Sequence, residues 1–275
     1  MRRSPFVAVL VAATVVSLTF LAIPIVAIFA ELSFKELVEG LTSDVARDAL
    51  RVTAETNLIA MALILLFGTP TAYLLASRRF RGRAALVTLV ELPLVLPPAV
   101  AGIGLLAAFG RLGLLGGTLE ALGIEIAFTK IAVVLAVTFV ASPFYVRTAI
   151  AAFEGVDADL VAASRTLGAG PGRTFLRVAL PLAAAGLGAG AALAFARGLG
   201  EFGATIMFAG SLQGVTQTLS LAVYQEFDVD FDNALAIGAL LVVVSALVLF
   251  LAKVVRPWRV FASRSTTASA PFASR

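Results

Sequence analysis

The chain has 275 residues, of which 60% are hydrophobic and 14% are charged, and its mean hydropathy is +1.01. A soluble protein of this composition would expose large apolar patches and aggregate, so we predict an all-α polytopic membrane protein. The sequence has no cysteine and no histidine, which excludes disulfides, thiolate nucleophiles and Cys/His metal sites, and we expect neither a metal nor a cofactor.

Six stretches of the chain are apolar over roughly the 20 residues that a bilayer-spanning helix needs. They lie near residues 6–30, 55–77, 84–108, 128–150, 178–197 and 234–255. The first follows Met1-Arg2-Arg3 in the manner of a signal peptide, but it is longer than the apolar part of one, so we expect an uncleaved anchor. Residues 1–275 are predicted to form a single transmembrane domain with six spans.

The basic residues between these spans indicate the orientation of the chain in the membrane. Placing the N-terminus inside puts 15 of the 21 lysines and arginines on the cytoplasmic side, as the positive-inside bias requires. They are Arg2, Arg3, Arg78, Arg79, Arg81, Arg83, Arg147, Arg165, Arg173, Arg177, Lys253, Arg256, Arg259, Arg264 and Arg275. We therefore predict that both termini are cytoplasmic, and we attribute the pI near 10.0 to topology instead of nucleic-acid binding.

The third span is interrupted by Pro93, Pro97 and Pro98. Proline removes a backbone donor, which is tolerated in a membrane only where protein or water satisfies the freed carbonyl. Two interpretations are open: a broken helix that lines a translocation path, or a kink that improves packing. Glu91, just before the prolines, is expected near the cytoplasmic interface or paired with a basic group of the turn 78–83.

The cytoplasmic loop 152–177 contains a short helix with clear start and stop signals. Asp157 suits the N-cap, Asp159 favours the positive end of the helix dipole, and Gly168 suits the residue after the helix. The residues near one face are Leu160, Val161, Ala163, Ser164 and Leu167. Such a small apolar face fits a groove on another protein; the alternative is a helix that lies on the bilayer.

The fifth span is rich in small residues, including a GxxxG at Gly186 and Gly190, which allow another helix to approach closely. After it, Arg197 and Glu201 are one helical turn apart. Several glycines make a regular helix costly there, so we expect the span end to unravel beside Thr205. The alternative is an ion pair at the membrane boundary. The residues predicted to line a translocation path are Pro97, Pro98, Arg197, Glu201, Gly203 and Thr205.

The loop resembles the EAA motif, EAA-x3-G-x9-I-x-L-P, of bacterial ABC importer permeases. Ala162-Ala163-Ser164, Gly168, Val178 and Leu180-Pro181 occur at its spacing. Ala162 replaces the leading glutamate and Ser164 the second alanine, and the nearby acidic residues Asp159 and Glu154 are the candidates to replace the lost contact. The resemblance implies that the loop couples the permease to an ATPase. The residues assigned to this coupling are Asp157, Asp159, Leu160, Ala163, Ser164, Leu167, Gly168 and Pro181.

Three further segments, 91–98, 199–205 and 209–219, are similar to the permeases of molybdate, sulfate and tungstate importers, above all to the molybdate permeases. The resemblance covers residues 50–255 or so and implies a type I ABC importer permease fold. It also implies a homodimer in the inner membrane of a bacterium or archaeon, with two ATP-binding subunits and an extracytoplasmic oxyanion-binding protein. Among these oxyanions the sequence leaves sulfate and tungstate open beside molybdate.

The glycine-rich segment 168–174 is not a nucleotide-binding loop. It lacks the G-x4-G-K-[ST] spacing and the lysine that reaches the phosphates, and it is better interpreted as the turn after the short helix. We therefore expect a permease that is not itself an enzyme and that takes its energy from a separate ATPase. The rival class, an ion-coupled secondary transporter, would usually show broken helices in two repeats, and the sequence offers one proline-broken span without a clear second copy.

Overall fold

Helices dominate residues 5–254, the part of the chain that the computed structural model describes. A π-helical turn, Phe175–Ala179, joins the ninth helix to the tenth. The helices are α1 Pro5–Ala30, α2 Phe34–Thr42, α3 Asp44–Ser77, α4 Arg83–Val95, α5 Pro98–Phe109, α6 Gly116–Ala121, α7 Lys130–Glu154, α8 Ala158–Thr166, α9 Pro171–Thr174, α10 Leu180–Leu199, α11 Gly203–Ala209, α12 Leu219–Glu226 and α13 Phe231–Val254. The predicted all-α class is confirmed.

Five helical stretches are long and apolar enough to cross a membrane, and the bent pair α4–α5 makes a sixth if it counts as one span. These correspond to the six predicted spans, but the second begins at Asp44 instead of residue 55. Ser43 caps it by accepting a hydrogen bond from the Ala46 amide at 3.1 Å. The added first turns of α3 were not predicted because their charged side chains lower the mean hydropathy. Those side chains lie on one side of the helix, while Ala46 and Ala49 on the other side are buried.

Helix α7 is the centre of the bundle. It packs against α3, α10, α11, α4 and α5, and more than half of its most apolar 18-residue window is buried. One core cluster joins α7 to α5 and α11, and a second joins it to α3 and α10. The elements that carry the predicted path residues, α5, α10 and α11, are thus fixed to a common helix.

The small residues of the fifth span serve packing within the chain. A methyl group built on Gly186 would lie 2.5 Å from the Cβ of Ala152, and one on Gly190 would lie 3.0 Å from the Cβ of Thr148. Both neighbours belong to α7. The GxxxG therefore lets α10 approach α7 closely, the use that small residues commonly have between membrane helices.

Helix α1 lies at the periphery. None of its most apolar window is buried, and it packs against α13. An apolar helix exposed on this scale suits contact with lipid or with another chain. Some of the residues used to predict topology lie outside the described range: Arg2, Arg3, the last residue of the span 234–255, and the basic residues from Arg256 onward.

Candidate functional site

The third span is divided into two helices. The helix axis bends by 114° between α4 and α5, and the residues between them, Leu96 and Pro97, are not helical. Pro93 lies inside α4 without ending it, whereas Pro97 precedes α5 and Pro98 is its first residue, where no donor is lost. The bend is much sharper than an ordinary proline kink. We call this interruption the proline break.

A second interruption follows the fifth span. Helix α10 ends at Leu199 and α11 begins at Gly203, so the predicted unravelling occupies residues 200–202. We call it the glycine break. The break lies where the glycines of the sequence predict it, and it is a second interruption beside the proline-broken span.

The fold brings the two breaks together. A methyl group built on Gly203 would lie 2.8 Å from the Cβ of Pro98, so only a residue without a side chain lets the segments approach this closely. Gly102 of α5 is similarly close to the backbone of Ala204 in α11. Pro97 and Pro98 remain exposed in the single chain.

Glu201 lies at the glycine break with its side chain 1% exposed. Its Oε1 accepts a hydrogen bond from the Ala204 amide at 2.7 Å and so satisfies an unpaired donor at the start of α11. Its Oε2 lies 2.7 Å from Nη2 of Arg197, whose side chain is 27% exposed. That contact is an ion pair by distance, although its angle does not meet hydrogen-bond geometry. The carboxylate is therefore enclosed by protein and is not a surface group.

Thr205 is also buried, and its Oγ1 has no hydrogen-bond partner among the described residues. Neither Glu201 nor Thr205 faces an open channel in the single chain. Their assignment to a translocation path stays a prediction, and one backbone donor beside the break, the Ala204 amide, is already occupied by Glu201.

Sequence reasoning missed the polar groups of α3 and α12 that lie near the glycine break. Thr53 accepts a hydrogen bond from the Leu219 amide at 2.8 Å. The buried Asn57 lies against Gly198, where a side chain would collide with it. Ser220 of α12 donates to the carbonyls of Leu199 and Glu201. A polar residue such as Asn57 inside an apolar span was the available signal.

At the other end of the bundle, the predicted short helix is present as α8. The Asp157 carboxylate accepts a hydrogen bond from the Asp159 amide at 2.8 Å, and Gly168 has φ +84°, the left-handed conformation that favours glycine after a helix. Pro181 lies in the first turn of α10 directly after the π-helical turn, in which the Leu180 amide donates to the Phe175 carbonyl. The N- and C-terminal signals predicted for the helix are confirmed.

The five residues assigned to one face of α8 in fact point in two directions. Leu160 and Leu167 are 49% and 88% exposed, and Ala163 is exposed beside them. Val161 and Ser164 are half-buried against the rest of the chain, and the Ser164 hydroxyl lies 2.9 Å from that of Thr174. The outward face is thus narrower than predicted, because the return of the chain through α9 covers one side.

Charged residues separate towards the two ends of the bundle. The turn 78–83, the end of α7 and α8 meet at one end, where Arg83 pairs with Glu154 at 2.6 Å. At the other end, α2 and the start of α13 bring together acidic residues: Glu36, Glu39, Asp230 and Asp232. Of the two expectations for Glu91, pairing with the basic turn is wrong, since Glu91 lies 3.5 Å from Arg147 of α7. Its position near the cytoplasmic interface stays a prediction.

Comparison with known proteins relates this chain to membrane components of transport systems. A model of the family described as "Binding-protein-dependent transport system inner membrane component" matches residues 65–260. A molybdenum transport system permease protein, ModB, of Mycobacterium tuberculosis is 47% identical over 234 residues, which cover 85% of this chain and 89% of that protein. The ModB protein of Escherichia coli is 44% identical over 177 residues, 64% of this chain and 77% of that protein.

Among solved structures, this chain resembles a chain in the crystal structure of a bacterial alginate ABC transporter in complex with alginate pentasaccharide-bound periplasmic protein. The TM-score is 0.69 at 18% identity, with 90% of this chain and 92% of that chain covered. At this identity the likeness concerns the fold alone. The predicted fold, that of a type I ABC importer permease, is confirmed.

Proposed function

The chain belongs to the family of binding-protein-dependent transport system inner membrane components, and we propose that it is the permease subunit of an ATP-driven molybdate importer. The observation that carries the choice of substrate is the 47% identity with a molybdenum transport permease over 85% of this chain. The chain itself provides a path and a coupling element, and ATP hydrolysis belongs to a separate subunit.

The coupling element is helix α8. Its outward residues Leu160, Ala163 and Leu167 form a small apolar surface on a helix whose ends are both capped. Helix α8 can transmit movement of the ATPase to the spans, because it packs on α9 and on the π-helical turn that lead directly into α10. We assign the docking of the ATPase to this outward face and to its boundary residues Asp157, Asp159 and Gly168.

The path lies where the proline break and the glycine break meet. Exposed Pro97 and Pro98 and the nearby Gly203 offer an irregular backbone, which membrane proteins tolerate where it lines a cavity. One chain supplies little polar lining, and a twofold-related copy doubles it. We therefore propose a homodimer with the path at its axis, fed by an extracytoplasmic oxyanion-binding protein. A purified transporter that contains a single copy of this chain would refute the dimer.

The basic end of the bundle is assigned to the cytoplasm of a bacterial or archaeal cell. The turn 78–83 and α8 share that end, and both carry arginines that the positive-inside bias places inside. A reporter fused after residue 79 should be inactive when it requires export, and one fused after residue 228 should be active. The reverse pattern would overturn the orientation.

Reconstitution tests the function. Proteoliposomes that contain this chain, its cognate ATPase and the oxyanion-binding protein should take up molybdate only when ATP is hydrolysed. Excess sulfate should reduce molybdate uptake little if the importer is specific for molybdate. Preferential uptake of sulfate would show that sulfate, and not molybdate, is the substrate. Uptake that follows an ion gradient without the ATPase would instead support the secondary-transporter class.

A further inference from the structure

A pocket of about 620 Å³ separates α8 from the ends of α3 and α7. Helix α8 contributes Ala158, Val161, Ala162 and Arg165, which are spaced i, i+3, i+4 and i+7 and so share one face. This inward face lies apart from the outward residues assigned to ATPase docking. The pocket is therefore a separate feature of the same helix, and we call it the arginine pocket.

The arginine pocket carries an excess of positive charge. Its lining includes Arg79, Arg83, Arg165 and a single acidic residue, Glu154. Arg83 is already occupied, since it pairs with Glu154 at 2.6 Å and donates to the Leu75 carbonyl at 2.6 Å. Within residues 5–254, Arg79 and Arg165 have no acidic partner within ion-pair distance. Two guanidinium groups at one pocket favour a ligand with an anionic oxygen group.

Ala162 contributes to this charge. It occupies the position at which the EAA motif has glutamate, and here it lines the arginine pocket. A carboxylate at this position would face the guanidinium groups and compete with any anion. The departure of this chain from the motif therefore leaves a cationic cavity that the motif residue would neutralise.

The inner wall of the pocket is aromatic and apolar. Tyr73 stacks edge-on against Phe153, with ring centroids 5.3 Å apart, and Ala179 lies beside them. These residues belong to the ends of α3 and α7 and to the π-helical turn before α10, all of them stretches long and apolar enough to span a membrane. A cationic rim above an apolar wall at the end of membrane helices matches the headgroup region of a lipid.

We propose that the arginine pocket binds the phosphate group of an anionic phospholipid, with Arg79 and Arg165 as its donors. The bound lipid fills the space between α8 and the span helices and so holds the coupling helix at a fixed distance from them. The assignment to the cytoplasmic leaflet rests on the proposed orientation, whereas binding itself does not depend on transport activity.

Native mass spectrometry of the detergent-purified transporter complex tests the proposal. With added phosphatidylglycerol, the wild-type complex should retain lipid more strongly than with phosphatidylcholine. Arg79→Gln with Arg165→Gln removes two charge-assisted contacts and should weaken retention by roughly tenfold or more. The matched control, Arg81→Gln with Arg173→Gln, removes the same charge from the same end of the chain outside the pocket and should change retention by less than about threefold.

A second pair of variants isolates the role of Ala162. Ala162→Glu places a carboxylate in the pocket and should abolish retention, whereas Thr166→Glu adds the same charge to α8 outside the pocket and outside the docking surface and should preserve it. Equal retention by wild type, Ala162→Glu and the Arg79/Arg165 variant would overturn the proposal. Displacement of the lipid by millimolar inorganic phosphate would identify a site for a soluble anion and refute the lipid assignment. Because the readout is lipid retention, a failure here leaves the molybdate importer proposal untouched.

Discussion

Arg197→Ala tests whether Glu201 is a buried ionised carboxylate. In the intact chain the Glu201 side chain is 1% exposed and is balanced by Arg197 and by the Ala204 amide. Replacement of Arg197 leaves the Glu201 carboxylate with the Ala204 amide alone as its partner. Breaking a buried pair in this way costs about 3–5 kcal/mol. Since Arg197 is itself 27% exposed, water screens the pair, and we expect a value near the lower limit, about 3 kcal/mol.

A second substitution should restore part of this loss. Glu201→Gln removes the charge, and its amide oxygen can still accept the hydrogen bond from Ala204. The double variant should therefore recover about 1–2 kcal/mol relative to Arg197→Ala, although it differs more from the natural sequence. For a protein of this size, about 3 kcal/mol corresponds to a fall in Tm of roughly 6–12 °C, and the recovery to about 2–8 °C.

The measurement is the fraction of detergent-purified complex that remains monodisperse after heating. Arg51→Ala is the matched control, because Arg51 pairs with Glu55 at the same i,i+4 spacing and 2.7 Å distance but is 76% exposed. It should shift Tm by less than about 3 °C. If Arg197→Ala behaves like this control, or if the double variant is less stable than Arg197→Ala, Glu201 is not an ionised buried carboxylate.

Three further predictions concern other parts of the chain. Leu167→Asp, on the outward face of α8, should abolish transport and transport-stimulated ATP hydrolysis while leaving membrane insertion intact. The control is Thr166→Asp, on another side of the helix. Normal transport by Leu167→Asp would exclude α8 as the coupling element. Gly186→Leu should destabilise the complex by about 1–3 kcal/mol because its Cβ would lie 2.5 Å from that of Ala152. Gly188→Leu, whose Cβ would have no neighbour within 4 Å, should not destabilise it. Equal heat resistance of the two variants would contradict the tight α7–α10 packing. Hydrogen bonds from the Ser33 side chain and backbone lower the pKa of Glu36 below 4.5, so its stabilisation of α2 is complete above that value and is lost as the pH falls through the lowered pKa. Amide exchange in α2, corrected for its intrinsic pH dependence, should show this loss in the wild type, a smaller loss in Ser33→Ala, which keeps the backbone hydrogen bond, and none in Glu36→Gln.

Local patterns in the sequence determine much of what this protein is. Hydropathy locates the membrane helices because each one forms its backbone hydrogen bonds within itself and is apolar along the length that spans the membrane. Asp157 and Gly168 identify the ends of α8 because capping involves only residues within a turn of the helix end. Pro97 and Pro98 identify the proline break for the same reason, since a proline lacks a backbone donor and interrupts the helix at its own position.

Partners and burial depend on the packing of distant segments. Asp44 begins a span helix because the Ala46–Ala49 side of that segment is covered by α12 and α13, which a hydropathy average over one segment cannot include. Glu91 reaches Arg147, and Glu201 is enclosed at the meeting point of α10, α11 and α12, because helices remote in sequence approach within a few ångströms. The inward face of α8 likewise becomes a pocket only when the ends of α3 and α7 close it. Local sequence sets the helices and their caps through interactions within a turn, whereas close packing between helices decides which side chains are buried, paired or left to bind a partner.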